Sequence, residues 1–202
     1  MSELSLEVLF AILENVEVKD LLRFSSLCTQ YRDVCKSKTL WVKIFNGHGL
    51  VILRKSKSLG SWVANFYNSL IAIRMVNEFT ARPIFVMAPI NLKSIRDVSI
   101  IHVPGVTNKD ELQKYLFLSS FVDKYQYCDT NILGDIDTER CVCDGQYVKL
   151  YLMREGDTYL MSISETDRWS ESPDKEYAKY RLSEEQARFL LYRLTCHFLL
   201  RA

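Results

Sequence analysis

The first 46 residues hold more aliphatic side chains than a helical segment of that size can bury by itself. Leu6, Leu9, Ile12 and Leu13 recur at helical spacing. Ser5 stands one place ahead of them, suited to cap the open N–H groups of a first turn. A second helix is predicted from about Val18. Asp20 in its first turn favours the positive end of the helix dipole, and Leu21, Leu22 and Phe24 supply its apolar faces. A third helix is predicted from Gln30 to about Ser37, and Leu40, Trp41, Ile44 and Phe45 close the segment with one more apolar turn. About 45 residues is near the lower limit for independent folding. The surplus leucines must therefore be covered, either by the rest of the chain or by another molecule.

The rest of the chain has the means to cover some of them. At 202 residues with 48% hydrophobic and 25% charged side chains, it has the composition of an ordinary globular protein. Seven glycines and four prolines exclude a collagen-like or low-complexity chain. A formal net charge of +1 lacks the basic excess of proteins that hold nucleic acid, so no nucleic-acid partner is expected. The longest apolar run, residues 84–90, is too short to span a membrane. Met1-Ser2-Glu3 opens without the basic region of a secretory signal. The six cysteines are accordingly expected as free thiols in a reducing, intracellular setting, cytoplasmic or nuclear.

Residues 47–60, with Gly47, Gly49 and Gly60 around Arg54-Lys55-Ser56-Lys57-Ser58, read as a connector. Ser61 is predicted to cap a helix to about Phe79, with Trp62, Phe66, Leu70, Ile73 and Val76 on one stripe and Pro83 beyond its end. Short strands are predicted over 84–87 and 98–103. Thr107 and Asp110 suggest the start of a helix running to about Val122. Asp144-Gly145 signals a hairpin between 140–143 and 146–153, and Glu155-Gly156-Asp157 a second turn into 158–164. Residues 165–176 read as a polar loop. Ser183 with Gln186 starts a last helix that points Ala187, Leu190, Leu191, Leu194 and Phe198 inward. The fold class is α+β: a three-helix module, then a small α+β domain over 61–202 with an antiparallel meander and flanking helices.

The segment from Leu4 to about Phe45 resembles the F-box. The likeness runs through Leu4-Ser5-Leu6-Glu7-Val8-Leu9, Ile12-Leu13, Val18-Lys19-Asp20-Leu21-Leu22-Arg23, Leu27-Cys28, Tyr31-Arg32 and Leu40-Trp41. Ser5 stands where the family usually has proline, and Tyr31 where tryptophan is commonest. Serine can cap a helix start, but the ring contact of a proline with a partner is lost. The resemblance implies a module that docks on a Skp-family adaptor and, through it, on a cullin. Leu4, Ser5, Leu6, Glu7, Leu9, Ile12, Leu13, Leu21, Leu27, Cys28, Tyr31 and Trp41 would divide between internal core and adaptor surface. The remaining domain would hold a target protein. Its short length, with no familiar repeat, suits a virus-encoded or lineage-specific member.

Other chemistries are weakly signalled. Cys141 and Cys143 share one face of a predicted strand, with Cys128 earlier and Cys196-His197 in the last helix. A structural zinc site shows two close ligand pairs, so buried thiols are expected and no metal. No nucleophile signature surrounds a cysteine near His102 or His197, and no phosphate-binding glycine loop appears. No catalytic residue and no cofactor is expected. Arg54-Lys55-Ser56-Lys57 could touch phosphate or serve as a weak nuclear signal, although a solvated loop is the commoner role for such a stretch. Trp169, among polar neighbours, is a candidate target contact or a lid folded back on the sheet. Ser172-Pro173 offers a site for a proline-directed kinase.

The expected function is that of a non-catalytic, substrate-recruiting adaptor of an SCF-type ubiquitin ligase, acting by effective concentration. The alternatives are an α+β enzyme or ligand-binding protein with an ordinary helical subdomain, and an F-box module that binds its adaptor for another purpose.

Overall fold

A computed structural model describes residues 5–54, 56–122, 147–166 and 173–199. Leu4, Cys128, Cys141, Cys143, Trp169, Ser172 and the Asp144-Gly145 turn with its preceding strand lie outside the described residues. The chain divides into two compact units, residues 1–78 with 195–202, and residues 79–194.

The first unit is helical. Helix α1 (Leu6–Leu13) starts where Ser5 Oγ accepts the Val8 N–H at 3.4 Å. A 3-10 turn (Val18–Asp20) leads into the single-turn α2 (Leu21–Phe24). Then come α3 (Thr29–Lys36) and α4 (Lys38–Gly47), the latter capped by Ser37. Helix α5 (Leu59–Thr80) begins two residues before the predicted cap. Its cap is Ser58, whose Oγ accepts the Ser61 N–H at 3.2 Å while Ser61 Oγ accepts the Ser58 N–H at 3.0 Å. Ser61 thus plays the reciprocal part of a capping box. The core joins Leu9, Leu13, Leu21, Val34, Leu40, Trp41 and Phe45 to Trp62 and Phe66 of α5. The rings of Trp41 and Trp62 stack at 5.6 Å and 5°.

The second unit carries the sheet. Strands β1 (Ile90–Asn91), β2 (Tyr147–Glu155), β3 (Thr158–Thr166) and β4 (Lys175–Leu182) lie in that order, all antiparallel. Val148, Leu150 and Leu152 share a buried face with Tyr159, Met161 and Ile163, as period-2 alternation requires. Helix α6 (Lys109–Val122) is tied to β4 by Glu111, whose carboxylate accepts the hydroxyls of Tyr115 at 2.7 Å and Tyr180 at 2.9 Å. Helix α7 (Glu184–Leu199) starts at the predicted cap, with Ser183 N–H donating to Gln186 Oε1 at 2.9 Å.

Several predicted elements differ. Residues 84–87 make a single bridge, Val86 to Met153, because Pro83 and Pro89 on either side lack the N–H a longer ladder needs. Residues 98–103 hold a 3-10 turn (Val98–Ile100) in place of a strand. The Asp97 carboxylate accepts the Ser99 N–H at 2.8 Å, a local bond that competes with a sheet ladder. Asn108 caps α6, accepting from the N–H groups of Asp110 and Glu111, while Thr107 Oγ1 accepts the Val103 N–H at 2.9 Å. Strand β4 replaces the end of the predicted polar loop. As the sheet's edge it sets half-buried Tyr177, Ala178 and Tyr180 among exposed Lys175, Glu176, Lys179 and Arg181, and a register shift opposite Ile163/Ser164 breaks the period of two, which hides its apolar signal. Ala187, Leu190, Leu191 and Leu194 of α7 are buried as expected, but Phe198 is half exposed, its ring against His197. Among the described residues no helix is long and apolar enough to cross a membrane.

Lys149 points to the sheet face opposite Leu150 yet is almost wholly buried. Its ammonium lies 2.7 Å from Asp174, 3.0 Å from Thr166 Oγ1 and 4.8 Å from the Tyr151 ring centre. Burial works against that charge, but the bonds to Asp174 and Tyr151 outweigh it and hold the Lys149 pKa above its ordinary value. Bonds from Lys149 and Thr166 hold the Asp174 carboxyl below the usual range. A carboxyl with a depressed folded pKa stabilises above its unfolded pKa, and that stability is lost as pH falls through the folded pKa. Thermal unfolding should therefore show Asp174→Asn less stable than wild type near about pH 6, the gap closing toward about pH 2.

The β2–β3 turn requires a left-handed residue at Gly156, whose φ is +63°. A Cβ there meets nothing within 4 Å, so conformation alone sets the cost of a side chain. Gly156→Ala should cost about 1–2 kcal/mol in denaturant unfolding.

Candidate functional site

The candidate surface belongs to the N-terminal module, and helix geometry decides which leucines reach it. Successive helical residues are about 100° apart, so neighbours cannot share a face. In α1, Leu9 and Leu13 point inward and are fully buried. Val8 and Ile12 then fall on the outer side, while Leu6, about 20° from Leu13 around the axis, is 56% exposed as the first residue of the helix. In α2, Leu21 is buried and Leu22 exposed. Leu27, in the turn before α3, is the most open of the group at 67%. Cys28 beside it is an exposed free thiol, and Ser5 and Glu7 are exposed.

The structure thus separates the predicted adaptor residues. Leu9, Leu13, Leu21 and Trp41 are core and offer no surface to a partner. Trp41 donates its indole N–H to Cys35 O at 2.9 Å. Ser5, Leu6, Glu7, Ile12, Leu27 and Cys28 are exposed, and Leu4 lies outside the described residues. Tyr31 is half-buried and stacks on Phe24 at 6.1 Å and 13°. Val8 and Leu22 are exposed apolar residues that the sequence reading left out of the contact set. The signal was present: Val8 precedes Ile12 by one helical turn, and Leu22 is the second of two adjacent leucines.

Polar bonds fix the frame around this surface. Lys43 of α4 reaches Glu14 at the end of α1, 2.7 Å away. Arg32 of α3 donates from Nε to Ser25 O at 3.3 Å. Burial pushes the Cys35 thiol up to about 11, which leaves it neutral and a poor nucleophile at physiological pH.

The residues considered for other chemistry are placed as follows. His102 Nδ1 lies 3.0 Å from Thr107 Oγ1, and its carbonyl accepts from Arg193 at 2.7 Å. Cys196 is buried. Among the described residues no group of three or more His, Cys, Asp or Glu side chains is placed to hold a metal ion.

The division between core and surface predicts unequal costs. Leu13→Ala should lower unfolding free energy by about 2–5 kcal/mol. Leu27→Ala should change it by no more than about 0.5 kcal/mol. Urea denaturation of the two variants measures the contrast.

Comparisons with known proteins bear on this module. Searches of curated proteins and of solved structures each return no match. Residues 1–43 match the family model of the F-box domain. That span covers the helices carrying Leu6, Val8, Ile12 and Leu22 and the turn carrying Leu27, so the match to the F-box domain falls on the N-terminal helical module.

Proposed function

We propose that this chain is a substrate-recruiting adaptor of an SCF-type ubiquitin ligase. Residues 1–46 dock on a Skp-family adaptor, and through it on a cullin, while residues 61–202 hold a target protein. The observation that carries the reading is the exposed apolar group Leu6, Val8, Ile12, Leu22 and Leu27 on a segment that matches the F-box. Large exposed apolar side chains gathered on one small module suit an interaction site. Ser5, Leu6, Glu7, Ile12, Leu27, Cys28 and Tyr31 are the predicted contacts that keep exposed area, and Val8 and Leu22 join them. Ser5 serves α1 as its cap, which supports the module's fold in the place of a proline.

The role requires no catalytic residue in this chain. Holding a target near the charged ubiquitin carrier replaces a bimolecular encounter by a local one, and linker geometry sets the effective concentration. Trp169 is kept as a sequence-based candidate for the target contact. The setting proposed is intracellular, where ubiquitin transfer operates.

Co-purification of the full chain with a Skp-family adaptor tests the reading. Wild type should bind, and Leu27→Ala should weaken binding by roughly 30-fold, the ~2 kcal/mol typical of an interface hot spot. Leu6→Asp should abolish capture with helical circular dichroism unchanged. Folded wild type that captures no adaptor from a panel of Skp-family proteins would overturn the proposal.

A further inference from the structure

Outside the F-box match, a solvent-open concavity of about 450 Å³ lies where the basic stretch after α4 meets the first turns of α5. Its walls include Arg54, Ser56, Lys57, Ser58, Ser61 and Asn65, and among the described residues no acidic side chain lines it. Neither Arg54 nor Lys57 pairs with a carboxylate among the described residues. Two like charges on one concave wall repel each other, and an anion between them removes that repulsion.

The loop is held in place before any ligand arrives. Asn65 donates from Nδ2 to Ser56 Oγ at 2.5 Å and to Arg54 O at 3.3 Å, tying the Arg54 carbonyl and the Ser56 side chain to α5. Ser56 Oγ is an acceptor in that bond, which leaves its proton to donate elsewhere. Ser58 and Ser61 spend their hydroxyl protons on each other and on Ser58 O. Among the described residues the side-chain donors left at the concavity are thus a planar guanidinium, an ammonium and one hydroxyl. A guanidinium fork matches phosphate oxygens, and a phosphate monoester is close to doubly charged at neutral pH with three acceptor oxygens.

We infer that this concavity binds a phosphate monoester, with Arg54 and Lys57 as the charged contacts, Ser56 as a hydroxyl donor and Asn65 as the positioning residue. The site is independent of adaptor docking, so its test leaves the function proposed above untouched. Inorganic phosphate and O-phosphoserine are titrated separately into the isotopically labelled full chain, with acetate at matched ionic strength as control. Saturable shifts of the amide signals of residues 56–61 are expected with both phosphates and not with acetate. The double variant Arg54→Gln, Lys57→Gln should weaken both at least about tenfold with an unchanged unfolding midpoint, since charge-assisted bonds carry the affinity. Arg54→Lys, which keeps the charge and loses the fork, should fall between the two. Tighter binding of phosphoserine assigns the site to the ester, and equal binding assigns it to the dianion alone. Linear shifts that match acetate, or saturable shifts that survive in the double variant, overturn the assignment.

Discussion

The stack of Trp41 on Trp62 is the contact on which the N-terminal unit depends. Trp41 is fixed first by its own helix and by the bond from its indole to Cys35 O. Trp62 then lies flat on it, and Phe45 meets both rings edge-on at 6.4 Å. Indole and phenyl groups bury about 150–250 Å² each, so three of them rival the aliphatic core of the four short helices. Neither α1 nor α3, at eight residues, would hold as an isolated helix, since helices shorter than about 12–15 residues are marginal in water. They persist because Leu9, Leu13 and Val34 reach a core that α5 completes.

That completion answers the question raised by the leucine-rich opening. The surplus is covered in part by this chain, and the part left over is specific. Leu9, Leu13 and Leu21 are satisfied internally, while Leu6, Val8, Ile12, Leu22 and Leu27 are not. A scattered exposed leucine needs no explanation. Five apolar residues within 22 positions of sequence, on a domain that matches the F-box, are a different matter. Exposing them gains the folded unit nothing. Removing them from water would be worth about 25 cal/mol per Å², which is the driving force that the proposed docking would draw on.

Local chemistry was legible where one side chain decides the outcome. Ser5 and Ser183 cap the helices they precede, and Gly156 makes the turn its φ demands. Adjacent signals of the same kind were harder to rank. Ser61 and Ser58 both bond at the start of α5, and only their mutual geometry shows which is the cap. Thr107 and Asn108 present the same ambiguity, settled by the Val103 N–H that occupies Thr107. Strand β4 was illegible because its partners lie elsewhere in the chain. Tyr177 and Tyr180 owe their half-burial to Glu165 and Glu111, and a window over 175–182 sees mostly charge. In the N-terminal module helical spacing separates Val8 and Ile12 from Leu9 and Leu13, but it does not foretell the exposure of Leu6, which shares their stripe. Which face is inward depends on Trp62 and Phe66, far along the sequence.

The charges that hid β4 also constrain how the second unit can recognise anything. An edge strand exposes unpaired N–H and C=O groups and invites another strand to join it. Lys175, Lys179 and Arg181 stand exposed along this edge. Lysine on an edge is a common guard against such pairing. Lys149 and Asp174 add a second restraint, pinning the approach to β4 onto β2 across β3. An edge that is both charged and pinned is poorly suited to take up a target by adding a strand. If the second unit holds a target as proposed, side chains and turns would carry the contact, and their sequence can change without disturbing the meander beneath them.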